Sequence, residues 1–357
     1  MTGAGAIREA GARLMSKSFK LSSQQMATVF ARLSEHYRIV GPKRFAGRGR
    51  FSDNDLVRYA QLASFDELEL AEKSWLSPKD LVFPADETLF NFNGQQFSEA
   101  ALPDEGETIV LLRPCDINGI DRLDRIFLKN ADVVDTYYQR RRSRLTFFMI
   151  ECRESFENCF CVSMNANRSD NYAVALRFGK DGVEVEVEVA SDIFSEVFAA
   201  SASTSDFKPE FVSRNQIEVE LPQADVMPAD IFTDKLWEEY DSRCISCGRC
   251  NTSCVTCSCF TTSDLFYGDS RTCGERRRVW DGCHLDGFCD MAGGHTFRKN
   301  KSERMRFKTF HKVYDYRKRF GVDMCVGCGR CDDVCPEYIS FSSCINKLSA
   351  RLKEGTE

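Results

Sequence analysis

Two stretches of this chain carry cysteines at a spacing that few chemistries use. Cys244-Ile-Ser-Cys247-Gly-Arg-Cys250-Asn-Thr-Ser-Cys254 is answered near the C-terminus by Cys325-Val-Gly-Cys328-Gly-Arg-Cys331-Asp-Asp-Val-Cys335-Pro336. Both follow Cys-x2-Cys-x2-Cys-x3-Cys, the spacing of ferredoxin-type iron–sulfur ligation, in which the first three thiolates wrap one cubane and the fourth reaches the other cluster. Gly248, Gly327 and Gly329 let backbone N–H groups approach sulfide, and Pro336 fixes φ just past the last ligand. Cross-ligation gives Cys244, Cys247, Cys250 and Cys335 to cluster one, and Cys254, Cys325, Cys328 and Cys331 to cluster two. Structural zinc also uses Cys-x2-Cys, but four evenly spaced thiolates in each of two runs fit iron better. The chain is expected to move electrons and to hold no catalytic residue of its own.

Other thiols surround these runs. Cys115, Cys152, Cys159 and Cys161 follow two apolar strands and could hold a third cluster, against the plain alternative of buried free cysteines. Cys257, Cys259, Cys273, Cys283 and Cys289 are spaced irregularly, as packing around clusters would be, and Cys344 falls on an apolar helix face. His284, His295 and His311 lie among basic residues and could tune a cluster or serve as structural histidines. A basic stretch, Arg298 to Arg319 with Arg304, Arg306, Lys308, Lys312, Arg317 and Lys318, and the separate Arg276 to Arg278, offer either solvated surface or a docking face for an acidic partner.

The elements that must position these residues divide the chain in two. Its 357 residues allow two cores. Residues 1–24, rich in Gly and Ala, read as a mobile extension in which Met15 could be the start. Residues 25–230 read as a mixed α/β domain: an amphipathic helix through Met26, Val29, Phe30, Leu33 and Tyr37, a loop from Gly41 to Arg50, strands Thr108–Arg113 and Leu145–Ile150 around a helix through Ile120, Leu123 and Phe127, and a hairpin from Tyr172 to Val189 with its glutamates solvated. Open α/β sheets place their sites at such strand ends. Residues 231–357 read as a mainly helical, ferredoxin-like two-cluster domain. Its insert of about seventy residues between the cysteine runs holds a helix capped by Ser302, and a terminal helix carries the stripe Phe341, Ile345, Leu348 and Leu352. The formal charge of −6 argues against nucleic acid. Short apolar runs and the lack of a signal-like start point to a cytoplasmic, non-membrane protein, and no Gly-x-Gly-x-x-Gly or Walker loop provides for flavin or nucleotide.

The chain resembles the iron–sulfur electron-transfer subunit of the anaerobic sulfite reductases and, more distantly, the iron–sulfur beta subunit of sulfhydrogenases. The likeness rests on Arg50-Phe-Ser-Asp53, Glu72-Lys-Ser74, Cys115-Asp-Ile-Asn118, Glu151 to Met164, Asp241 to Cys250, Arg276 to Arg278, Asp290 to His295 and Cys325 to Pro336. It departs at Val255, where that family has proline. The resemblance implies an electron carrier between a flavin-binding, NADH-oxidising partner and a siroheme partner that reduces sulfite to sulfide. The alternatives are the equivalent subunit of a sulfhydrogenase-like complex or a siroheme-binding catalytic subunit.

Overall fold

The computed structural model describes residues 16–49, 54–101, 106–179, 183–269 and 271–354. Met15, the motif Arg50 to Asp53 and most of the turn at residues 179–182 lie outside them. In chain order, β1 (Lys17–Ser22) leads into α1 (Ser23–Ser34), β2 (Arg38–Phe45), β3 (Leu56–Gln61), β4 (Asp86–Asn93) and β5 (Gln96–Glu99). Then come β6 (Thr108–Leu112), α2 (Pro114–Lys129), α3 (Thr136–Arg142), β7 (Leu145–Ile150), β8 (Val174–Phe178), β9 (Glu184–Val189), α4 (Ser195–Ala199) and β10 (Ser203–Thr204). The cysteine-rich part adds α5 (Glu239–Arg243), α6 (Arg249–Thr252), β11 (Phe260–Phe266), β12 (Cys273–Trp280), β13 (Asp290–Met291), β14 (His295–Thr296), α7 (Lys301–Phe310), α8 (Tyr316–Phe320), α9 (Arg330–Asp333) and α10 (Phe341–Glu354).

The large sheet has the order β10-β1-β9-β8-β7-β6-β2-β3 and is mixed: β2, β6, β7 and β8 run parallel to their neighbours in that series, the rest antiparallel. Both faces of its centre are buried, so β6 reads as an unbroken apolar run. Alternation along that strand sends Ile109 and Leu111 towards the layer of α1 and α4, and Val110 and Leu112 towards α2, α3 and the cysteine-rich part. The second face therefore carries the candidate chemistry.

Helix α1 begins where expected, with Ser22 and Gln25 forming a capping box and Met26, Val29, Phe30 and Leu33 buried. Four expectations change. Part of the supposed mobile extension, Lys17–Ser22, is a strand clamped between β9 and β10. The first half of the supposed loop, from Gly41 to Phe45, lies in β2. Pro42 is accommodated because pairing with β6 ends at Val40, leaving its missing N–H without a partner on that side. On β9 the glutamates are not merely solvated: Glu188 is buried and accepts a hydrogen bond from the Tyr172 hydroxyl, while Glu186 pairs with Arg177. Finally, the boundary near residue 230 is bridged by a four-stranded sheet, β11-β12-β4-β5, built from both halves. The C-terminal part accordingly contains strands as well as helices.

That small sheet consumes the basic run Arg276 to Arg278. Arg276 binds Asp264, Arg277 binds Glu275 and Asp86, and buried Arg278 binds Glu87 and Asp135. Only Arg278 is buried by these pairs; Arg276 and Arg277 keep 45% and 36% of their side chains exposed.

Candidate metal centre

Each cysteine run folds as a loop that closes into a single helical turn, α6 or α9. Gly248 and Gly329 enter those turns at φ +68° and +72°, a region that only glycine visits cheaply. Gly329 and Gly327 have a second reason to lack a side chain: a Cβ there would meet the Asn158 and Phe160 carbonyl oxygens at 2.1 and 2.5 Å. The second run is thus pressed against residues 158–161, and the Phe160 amide donates to the Gly327 carbonyl at 2.8 Å.

The runs interleave. One cavity is lined by Cys244, Cys247 and Cys250 of the first run together with Cys331 and Cys335 of the second, with His284, Lys308 and Phe341 completing its wall. Cys254 turns away from its own run: the thiols that perturb Cys325 and Cys328 electrostatically include Cys254. Val255 locks this divergence, because it is fully buried against Gly119 of α2, where a Cβ would come within 2.2 Å of it. The valine that replaces the family's proline is a packing residue.

Of the second-run cysteines Cys328 is buried, and Cys325, Cys331 and Cys335 are half-buried. Burial pushes Cys328 up to about 11 and Cys325 up to about 12, so these groups would remain protonated without a cationic partner. Cys254 is held well below the ordinary thiol range by a hydrogen bond from Cys257, aided by Lys312 and Thr256. Here the structure supplies what sequence reading missed. Lys308 and Lys312 are 4% and 3% exposed. Burial works against both ammonium groups, but Cys250 and Cys331 around Lys308, and Cys254, Cys257 and Cys325 around Lys312, hold them charged. Lys312 Nζ stands 3.6 Å from Cys254 Sγ and 2.7 Å from the Thr256 hydroxyl. Among the described residues neither lysine forms an ion pair with a carboxylate. Buried cations of this kind need anionic compensation, and anionic cubanes held by the eight cysteines fit that need. No three His, Cys, Asp or Glu side chains among the described residues converge as closely as one metal ion demands. A multi-iron cluster, which spaces its thiolates more widely, suits a shared cavity of this kind better than zinc.

The basic stretch is therefore surface only in part: Arg304, Lys308 and Lys312 are buried, while Lys318 and Arg319 stay exposed. Its helix is capped by Asn300 with Glu303, not by Ser302, and a π-turn at His311–Asp315 joins α7 to α8. Residues 304, 308 and 312, each four apart, fall on one inward face. Further on, Arg317 donates to the Pro222 carbonyl and pairs with Asp323, Arg319 donates to the Asn130 carbonyl, and Lys318 reaches the Tyr314 hydroxyl. The spacing of four was the available signal.

A buried ion pair fastens the second run to the large sheet. Arg330 binds both carboxylate oxygens of Asp116, at 2.5 and 2.8 Å, and also the backbone and hydroxyl oxygens of Ser74. Tyr59 donates to the same carboxylate. Lys73 joins Asp333 at 2.6 Å and the Cys328 carbonyl at 2.9 Å. Asp116 sits in the first turn of α2, beside Cys115, at the C-terminal end of β6.

The second set of four thiols does gather at those strand ends. Cys161 is pushed up to about 12 by burial, with Cys159, Cys152 and Cys328 adding to the effect. Cys115 is raised by burial, and Asp116, Cys328 and Cys161 act with it. Cys159 contacts the Cys328 carbonyl at 3.5 Å and Cys152 the Glu154 carbonyl at 3.3 Å. Of the histidines, His284 lies 3.9 Å from Cys244 and is lowered to about 3 by burial beside Lys308 and Arg304. His311, stacked on Phe307, is lowered to about 4 by burial beside Lys312. His295 is exposed on β14. Cys344 is fully buried on α10 with Phe341, Ile345 and Leu348, and Cys273 lies on β12 beside Asn93.

A mixed α/β scaffold carrying two interleaved four-cysteine runs defines an iron–sulfur protein, and residues 243–339 match the family described as a 4Fe-4S dicluster domain. The chain is also 30% identical over 349 residues to sulfhydrogenase 2 subunit beta of Pyrococcus furiosus, an alignment covering 93% of this chain and 98% of that protein. It belongs to the sulfhydrogenase beta subunit family. No solved structure matches it. Of the two likenesses read from the sequence, the more distant one is the one this comparison supports. Among the described residues no helix is long and apolar enough to cross a membrane.

Proposed function

We propose that this chain is the electron-transfer component of a multi-subunit oxidoreductase of the sulfhydrogenase type, with the catalytic centre on another subunit. The observation that carries the proposal is the interleaving of the two cysteine runs around a shared, cation-backed interior. In this reading Cys244, Cys247, Cys250 and Cys335 hold one cubane and Cys254, Cys325, Cys328 and Cys331 the other, with Cys115, Cys152, Cys159 and Cys161 as ligands to a third. Bound clusters supply one-electron transfer without proton chemistry. The chain's own residues hold thiolates in place, exclude water around the second run, and set buried ammonium groups beside both runs. The first run is the more open: Cys247 is exposed near Ile245, which is 54% exposed, so a redox partner approaches the first run.

The narrower assignment to a cytoplasmic sulfite reductase, partnered by a flavin subunit that oxidises NADH and by a siroheme subunit, draws on the quoted sequence runs. Anaerobic purification of the tagged complex separates the readings. Hydrogen-dependent dye reduction without tetrapyrrole bands supports the sulfhydrogenase type. Siroheme bands with sulfite-dependent NADH oxidation support the sulfite reductase. A colourless, iron-free complex would sink both. Within the chain, Cys254→Ala should damage the cluster of the Cys325 run while sparing that of Cys244, as read by electron paramagnetic resonance, and the opposite pattern would overturn cross-ligation.

A further inference from the structure

A third buried lysine, Lys79, is only 2% exposed and lies outside the two ferredoxin runs. Its ammonium rests 3.7 Å over the Trp280 ring and reaches the Cys257 and Asn251 carbonyls at 3.1 and 3.5 Å. Among the described residues no carboxylate pairs with it. The acidic groups it faces are thiols, Cys257, Cys254 and Cys259, with Lys312 as the opposing cation. Burial lowers the Lys79 pKa and the neighbouring thiols act against that, so a metal that held those thiols as thiolates would favour the ammonium form.

Cys257 and Cys259 of that group lie outside both runs, and Cys283 and Cys289 approach them. The buried Asn251 amide stands 3.8 Å from Cys257 Sγ and 3.4 Å from Cys283 Sγ, which places these sulfurs within about 7 Å of each other. Cys259 is tied to the loop bearing Cys283 by the Asp281 amide, which donates to the Cys259 carbonyl at 3.1 Å. Cys283 and Cys289 both act electrostatically with Cys259, and the Arg298 guanidinium lies 3.1 Å from Cys289 Sγ. One donor, the Asn251 amide, already faces two of these sulfurs, where a cluster would need hydrogen bonds. Gly282 packs on Asn251, where a Cβ would come within 2.8 Å.

We propose that Cys257, Cys259, Cys283 and Cys289 ligate an additional iron–sulfur cluster, beside the two ferredoxin sites and backed by Lys79. The inference rests on the electron-transfer reading only in taking the metal to be iron. Its test is Cys259→Ser with Cys283→Ser in the full chain, purified anaerobically, with iron, acid-labile sulfide and zinc quantified. The expected result is a loss of about four irons and four sulfides per chain, with both ferredoxin signals retained in the resonance spectrum. The same loss should appear in a Cys159→Ser, Cys161→Ser background, which separates this site from the one near Cys115. Unchanged iron, or loss of one zinc instead, overturns the proposal. Should the double variant fail to fold, the half-buried Cys289→Ser provides the reading: it should alter one reduction transition and leave the ferredoxin signals in place, and no change counts against the site. Failure of the electron-transfer reading looks different, since the wild type would then lack ferredoxin signals altogether.

Discussion

Lys312→Met is the most direct probe of the buried cations. The substitution keeps the length of the side chain and removes a charge 3.6 Å from the Cys254 sulfur. An electron added to a cluster held by that sulfur spreads over its irons, so roughly 7 Å is a fair separation; at an effective dielectric of about 20 a unit charge there is worth about 2.4 kcal/mol. At about 59 mV per tenfold change for one electron, the potential of the second-run cluster should fall by on the order of 100 mV. The sign follows from charge: the ammonium favours the reduced, more negative cluster. Because the thiolates outweigh burial and hold the Lys312 pKa above its ordinary value, the shift should be the same across about pH 6 to 9. Redox titration followed by electron paramagnetic resonance measures it, with iron content as the control for assembly. Lys312→Arg should restore the potential, and Lys353→Met on the exposed end of α10 should leave it alone. A full complement of iron with an unmoved potential would refute the reasoning.

Arg330→Met strands the Asp116 carboxylate in the core and should cost about 3–5 kcal/mol, whereas adding Asp116→Leu should recover most of it; equal urea midpoints for the single variant and wild type would contradict this. His284 is lowered to about 3 and its Nε2 has no partner, so the unfolded chain takes up the proton first. Its contribution is complete above about pH 6.5 and is lost as pH falls towards 3, by about 2 kcal/mol at pH 5. His284→Gln should flatten the acid side of the stability profile, and an unchanged slope would assign the loss elsewhere. Reversing Arg317 and Arg319 to Glu should lower both stability and iron content, because their bonds to Pro222 and Asn130 hold α8 in place; normal iron with weakened partner binding would return this segment to the surface.

What the sequence revealed follows from which forces leave a local trace. Helices α1, α2 and α10 were legible because their apolar residues recur at helical spacing, and the paired runs because ligand geometry is written in short intervals. Strands β11 and β12 were hidden. Along β11 every residue from Phe260 to Phe266 is exposed, and β12 is arginine-rich, its stability coming from carboxylates such as Glu87 and Asp135 that lie far off in sequence. The buried lysines misled for a related reason. A run of cations reads as solvated surface unless the anion that draws it inward is also visible, and here those anions are cysteines and the groups they bind.

The small sheet also sets an order of events. Strand β4 leaves the ribosome some 180 residues ahead of its partner β12, a wait of roughly 10–35 s at about 5–20 residues per second. Through that interval its hydrogen-bonding edge has only β5 beside it. On the proposed cross-ligation, the first cysteine run likewise cannot complete a cubane until Cys335 of the second run has been made. Completion of that cluster would then wait for α9, and a nascent chain stalled before α9 would be a substrate for quality control instead of an electron carrier.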